Sequence, residues 1–183
     1  MAKKLMLSNT SESNNWHMSW KGWVPLKCKI MAWRATINRL PTKTELLKRG
    51  VPVPNVVCAL CNSDEETTLH LYTGCFYATE IWSGIQDWCR LAPIFALEVS
   101  DLIKMVDLIT TTKQSRYILR GIIITTMWEL WNERNNRIFK GKSRRALEVV
   151  ENIKTTSYFW IRNRSRFKDI DWNVWCNFPL NLM

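Results

Sequence analysis

Three cysteines and one of the chain's two histidines fall within eighteen residues, CALCNSDEETTLHLYTGC, from Cys58 to Cys75. The spacing is C-x2-C-x8-H-x4-C. A tetrahedral zinc ion takes four soft or borderline donors, and a Cys-x-x-Cys turn presents two thiolates, Cys58 and Cys61, from one tight knuckle. Asn62 follows directly, where such a chain reversal calls for a left-handed residue that asparagine tolerates. His70 and Cys75 are harder to bring together, because a regular helix points residues five apart about 140° away from each other. Gly74 offers a way round: it can end the turn carrying His70 in a left-handed cap, so that Cys75 opens the next helix. A thiolate there also meets the partial positive charge of a helix N-terminus.

Three other readings compete. Cys58 and Cys61 could be a redox pair, but no thioredoxin-like βαβ pattern surrounds them. They could be buried free thiols, which leaves the nearby histidine and third cysteine without a reason. His70 could be a satisfied core histidine between Leu69 and Leu71. The joint spacing favours one Zn2+ held by Cys58, Cys61, His70 and Cys75. Four protein donors close the coordination sphere and leave no position for water or substrate, so the expected role of the ion is structural. Cys28, Cys89 and Cys176 sit in apolar surroundings and read as small buried hydrophobes. His17 lies among tryptophans and reads as incidental.

The elements that must position these donors are helical. Pro25 can open a helix in which Leu26, Ile30, Trp33 and Ile37 recur at spacings of four, three and four, predicting an amphipathic helix that buries this stripe. Pro41 ends it. Thr42 with Glu45 three residues on reads as a capping box for a short helix, TKTELLKRG, closed by Gly50. The prolines of VPVPNVV keep the approach to Cys58 extended. Beyond Cys75, a helix should bury Ile81, Ile85 and Trp88, and SDLIKMVDLIT should form another with a cap at Ser100 or a neighbour. The longest helix spans QSRYILRGIIITTMWELWNERNNRIF, apolar nearly all round at its middle. SRRALEVVENIKTTSYFWIRNRSRF is a further helix with a basic end, and the aromatic tail DIDWNVWCNFPL should pack back on the body. β alternation is scarce. The predicted fold is mainly α: a disordered polar head over 1–15, a zinc-stabilised helical domain over 16–90, and a helical extension over 91–183.

Eleven tryptophans against six glycines fit helices locked by large aromatic anchors. The charge is uneven. Residues 1–57 carry ten basic and two acidic side chains, residues 58–112 two and eight, and residues 113–183 fourteen and six. Two basic blocks flank an acidic centre, a distribution suited to a polyanionic partner, since Lys and Arg release counterions from phosphate backbones. After MAKKLML the chain turns polar too soon for a secretory signal. Its longest apolar patch, GIIITTMW, falls far short of the roughly twenty residues of a membrane span. The expected setting is therefore intracellular, nuclear or cytoplasmic, with no membrane partner and with reduced cysteines.

Several stretches carry a family resemblance: WVPLKCKIMAWRA, RLPTKTELLKRG, CALC, HLYTGC and ATEIW, in that order. Together they resemble the zinc-binding domain that follows the polymerase in plant non-LTR retrotransposon reverse transcriptases, over about Trp16 to Trp82. The resemblance implies a zinc site at Cys58, Cys61, His70 and Cys75. WELWNERNNRIF, Trp128 to Phe139, resembles the helical segment that follows that domain, and WNVWCNFPL the tails of short stand-alone plant copies. The implied origin is a detached piece of an element, or a gene derived from one.

Catalytic equipment is not visible. There is no Asp-Asp pair for a polymerase palm, and Asp169 with Asp171 cannot make the carboxylate set of an RNase H. Gly141–Ser143 reads GKS like the end of a phosphate loop, but Asn136 stands where its first glycine should be. No nucleophile, base and orienting group assemble, so no enzyme and no small-molecule substrate are expected. The leading expectation is a non-catalytic zinc module that binds RNA or DNA. Lys27, Lys29, Arg34, Arg39, Lys43, Lys48 and Arg49 would contact phosphates, although solvated helix faces explain such residues equally well. Trp16, Trp20 and Trp23 could stack on unpaired bases, while filling a core is the simpler role for them. The alternative is a protein-interaction scaffold, or an inert remnant, with no nucleic-acid binding.

Overall fold

The computed structural model describes residues 18–180; the polar head, Trp16 and His17 lie outside the described residues. The described residues form seven α-helices: α1 (Leu26–Thr36), α2 (Lys43–Lys48), α3 (Phe76–Cys89), α4 (Asp101–Ile109), α5 (Lys113–Lys140), α6 (Ala146–Arg164) and α7 (Trp172–Asn177). One π-helical turn, His70–Gly74, precedes α3. Among the described residues β structure is limited to a single antiparallel bridge between Val57 and Glu65. The protein is mainly helical, as its periodicities predict.

The axis is α5. Ile118, Leu119, Ile122, Ile123, Ile124 and Met127 are all buried, which accounts for its apolar middle, and α1, α3, α4, α6 and the π turn all pack against it. Trp23 lies so close to α5 that a Cβ on Gly121 would stand 2.1 Å from its Cζ2. The helix therefore needs a residue without a side chain at that point. On α3 the predicted face of Ile81, Ile85 and Trp88 is buried. The tail returns as predicted: Trp175 is buried, its indole N–H donates to the Lys154 carbonyl at 3.0 Å, and Trp88 donates to the Trp175 carbonyl at 2.8 Å.

Two local expectations need correction. Helix α1 exists, but its rotation is the reverse of the predicted one. Leu26, Ile30, Trp33 and Ile37 face solvent, while Cys28, Met31, Ala32 and Ala35 face the core. Apart from Met31 these inward residues are small, which lets the α1 backbone come close to α5, and Leu26, Ile30, Trp33 and Ile37 are left outside. At α2, Thr42 and Glu45 form no capping box. Glu45 instead meets Asn38 and Lys48, and the backbone N–H of Lys43 donates at 3.0 Å to the carboxylate of Glu66. The cap comes from a residue twenty-three positions away. Gly50 does close the helix in a left-handed conformation (φ 75°). At α4 Ser100 is the N-cap position but makes no side-chain cap bond; Asp101 instead accepts from the N–H groups of Leu97 and Glu98 in the segment before the helix.

Candidate metal centre and basic face

The knuckle is built by the backbone. Asn62 adopts φ 57°, the left-handed geometry its position predicts. Its N–H returns to the Cys58 carbonyl at 2.9 Å, while the Leu60 N–H donates to the Cys58 sulfur at 3.4 Å. The far half is solved differently from the sequence reading. Gly74 keeps a negative φ, since the left-handed glycines are Gly22, Gly50 and Gly141. A π turn takes the place of the cap, with the Cys75 N–H donating to the His70 carbonyl five residues back at 2.7 Å. Widening the turn by one residue brings positions i and i+5 round to the same side. Cys75 is the N-cap of α3, so its sulfur does sit at a helix N-terminus.

These turns place one donor atom from each of Cys58, Cys61, His70 and Cys75 within 4.8 Å of all the others. The Cys58 and Cys75 sulfurs are 4.0 Å apart, and Cys61 Sγ lies 3.3 Å from His70 Nε2. Bond lengths of about 2.0 to 2.3 Å put the corners of a zinc tetrahedron roughly 3.5 to 3.8 Å apart. The set fits one such ion. The Asp64 carboxylate stands 3.9 Å from His70 Nδ1, on the far side of the ring from the sulfurs, where carboxylates often orient ligating imidazoles. The Cys75 thiol, hydrogen-bonded to Cys58, pulls the Cys58 thiol down to about 5 despite its burial, helped by the N–H groups of Cys61 and Leu60. The same bond, with burial, pushes Cys75 far up. Metal binding by such thiols releases their protons, so a Cys58 thiol held low favours a cation at this position. The remaining cysteines stand apart from this group: burial raises Cys28 to about 12 and also raises Cys89, and Cys176 is half-buried.

Behind the knuckle lies a polar cluster that the sequence reading missed. Glu66 is fully buried and accepts from Arg134 Nε at 3.0 Å and Nη2 at 2.5 Å, besides capping α2 and receiving the Ala59 N–H at 3.3 Å. Arg137 donates to the Leu60 carbonyl at 2.6 Å and to Glu133, and stacks over Tyr77. Glu133 also takes the N–H and Nε of Arg144, each at 2.9 Å. Burial alone would raise the Glu133 carboxyl, but these donors hold it below the usual carboxylate range. The charged residues of WELWNERNNRIF thus tie the metal lobe to α5. Their one visible signal is charge embedded in an otherwise apolar helix.

The seven predicted phosphate contacts divide. Lys27, Arg34, Arg39, Lys48 and Arg49 are exposed and Lys43 is half-buried. Lys29 is buried, and its ammonium donates to the carbonyls of Trp20 and Gly22 at 2.8 and 3.1 Å; it holds the turn before α1 and is withdrawn from any ligand. Lys48 and Arg49 face Glu45, and Arg34 reaches the Arg39 carbonyl at 3.0 Å. Trp23 fills the core, as the simpler reading has it, whereas Trp20 is 48% exposed and stands 6.2 Å from the Trp33 ring.

The fold and the four-donor group define a mainly helical protein with a small lobe able to hold one metal ion. Residues 2–82 match the family described as zinc-binding in reverse transcriptase, and the four donors fall inside that stretch. No match was found among curated proteins or among solved structures. No helix among the described residues is long and apolar enough to cross a membrane.

Proposed function

We propose that this chain is a non-catalytic module, shaped by one structural Zn2+ on Cys58, Cys61, His70 and Cys75, that binds RNA or DNA through basic helix faces. We further infer descent from a plant non-LTR retrotransposon reverse transcriptase. The match over residues 2–82 supports the reverse transcriptase part of that origin, and the resemblance of WELWNERNNRIF and WNVWCNFPL supports the rest. The observation that carries the binding reading is the solvent face of α1. Lys27 and Arg34, two turns apart, border an exposed strip that includes Trp33, with Trp20 beside it. Cations for phosphates next to aromatic rings for bases are the two ingredients of single-strand binding.

A labelled single-stranded RNA 20-mer and its DNA counterpart, titrated with the zinc-loaded chain at rising salt, test this. Affinity should fall steeply with salt, and Lys27→Gln with Arg34→Gln should lower the slope by about 0.7 per side chain. Absent or salt-insensitive binding at low ionic strength defeats the reading. The aliphatic part of the same strip, Leu26, Ile30 and Ile37, favours a second one: a protein-interaction scaffold. That reading takes over if Ile30→Glu abolishes a protein contact while nucleic acid is ignored.

A further inference from the structure

A cavity of about 550 Å3 opens between the metal lobe and the end of α5, lined by Lys43, Asn55, Asn62, Arg137, Lys142 and Ser143 among others, with no carboxylate in its wall. We propose that it seats a phosphate group of a single-stranded nucleic-acid backbone, held by Lys43 and Lys142; this rests on the nucleic-acid reading above and adds a second contact point to the face of α1.

The wall is arranged to meet an anion. Beside it Arg137 covers the carbonyls of Ala59 and Leu60, and the N–H groups of Gly141 and Lys142 both turn back to the Asn136 carbonyl. Asn55 Oδ1 accepts from Lys43 Nζ and from the Val57 N–H, each at 3.1 Å. That fixes the amide orientation and leaves its NH2 group as a free-facing donor. Lys43 uses two of its three N–H bonds on Asn55 and the Val57 carbonyl, so one remains. Lys142 and Ser143 are exposed at the rim. Arg137 keeps its own charge largely neutralised by Glu133 at 2.9 Å, so the net positive charge facing the opening belongs to the two lysines. Compact ammonium groups with amide and hydroxyl donors around them suit a phosphate oxygen cluster. The volume exceeds one phosphate and leaves room for the attached sugar. The GKS segment contributes here through Lys142 and Ser143, without the glycine that a nucleotide-binding loop would need.

The test uses the full zinc-loaded chain and the same labelled RNA 20-mer, followed by anisotropy across a salt series. Lys142→Gln should lower the salt slope by about 0.7, Asn55→Asp should weaken binding further by placing a carboxylate in the wall, and Lys142→Arg should restore it. Lys104→Gln, on α4, should change nothing. Zinc content and helical circular dichroism, unchanged in each variant, keep folding out of the comparison. If the wild type binds and Lys142→Gln and Asn55→Asp keep its slope and affinity, the cavity is overturned while the α1 reading stands; if the wild type binds no RNA, both fall. Binding of inorganic pyrophosphate that is lost in Lys142→Gln, while RNA affinity and salt slope are the same in that variant and in the wild type, assigns the site to free phosphates and overturns the backbone seat.

Discussion

Cys61 and Cys89 are the same residue type with opposite surroundings. Cys61 is half-buried beside His70, and Cys89 is buried in α3 away from the donor group. Cys61→Ser should cost the chain its stoichiometric zinc, whereas Cys89→Ser should retain it; elemental analysis of both purified variants checks the pair, and metal lost from the second would mean that the wrong cysteines had been chosen. That these four donors would meet was legible from sequence, because few side chains bind zinc and the spacing that gathers them is restrictive. Glu66 was not. In the run Asp64-Glu65-Glu66 three carboxylates look alike, yet Asp64 and Glu65 are exposed and Glu66 is fully buried. Only the distant arginine that receives it makes the difference. Lys29 fails for the same reason, since the carbonyls that trap its ammonium depend on the path of the chain before α1.

Elements were legible where one physical signal dominates, as in the apolar middle of α5 or the buried face of α3. They were misread where packing chooses among faces. On α1 the spacing of Leu26, Ile30, Trp33 and Ile37 marks a helix, but closeness to α5 selects the small side for the interior. The π turn was invisible as well, because its extra residue is required only by the geometry of the four donors. The tie between the metal lobe and α5 gives the prediction at this scale. Arg134→Leu leaves the Glu66 carboxylate buried without its cation, a loss of about 3–5 kcal/mol, measured by urea denaturation at neutral pH. Replacing both partners, as Glu66→Gln with Arg134→Leu, should recover part of that loss.

At the scale of the whole molecule, stability should depend on acid through the carboxylates locked into α5. The Glu133 carboxyl titrates lower in the folded chain than in the unfolded one, so its contribution is complete above the ordinary carboxylate pKa of about 4.5 and disappears as pH falls through the depressed folded value. The urea midpoint should therefore drop between roughly pH 5 and pH 3. In Glu133→Gln it should start lower and fall less over that interval, and equal slopes would show that Glu133 has no part in the acid response.

The tie from Glu66 to Arg134 also bears on how such a protein can be inherited. The stretch that matches the family ends at Trp82, but the cation its buried carboxylate needs arrives sixty-eight residues after Glu66. A copy truncated at the edge of the recognisable sequence would keep every metal donor and still carry an uncompensated charge in its interior. Recombination can move the four donors as a short cassette; a piece that keeps the Glu66 carboxylate paired has to extend into α5.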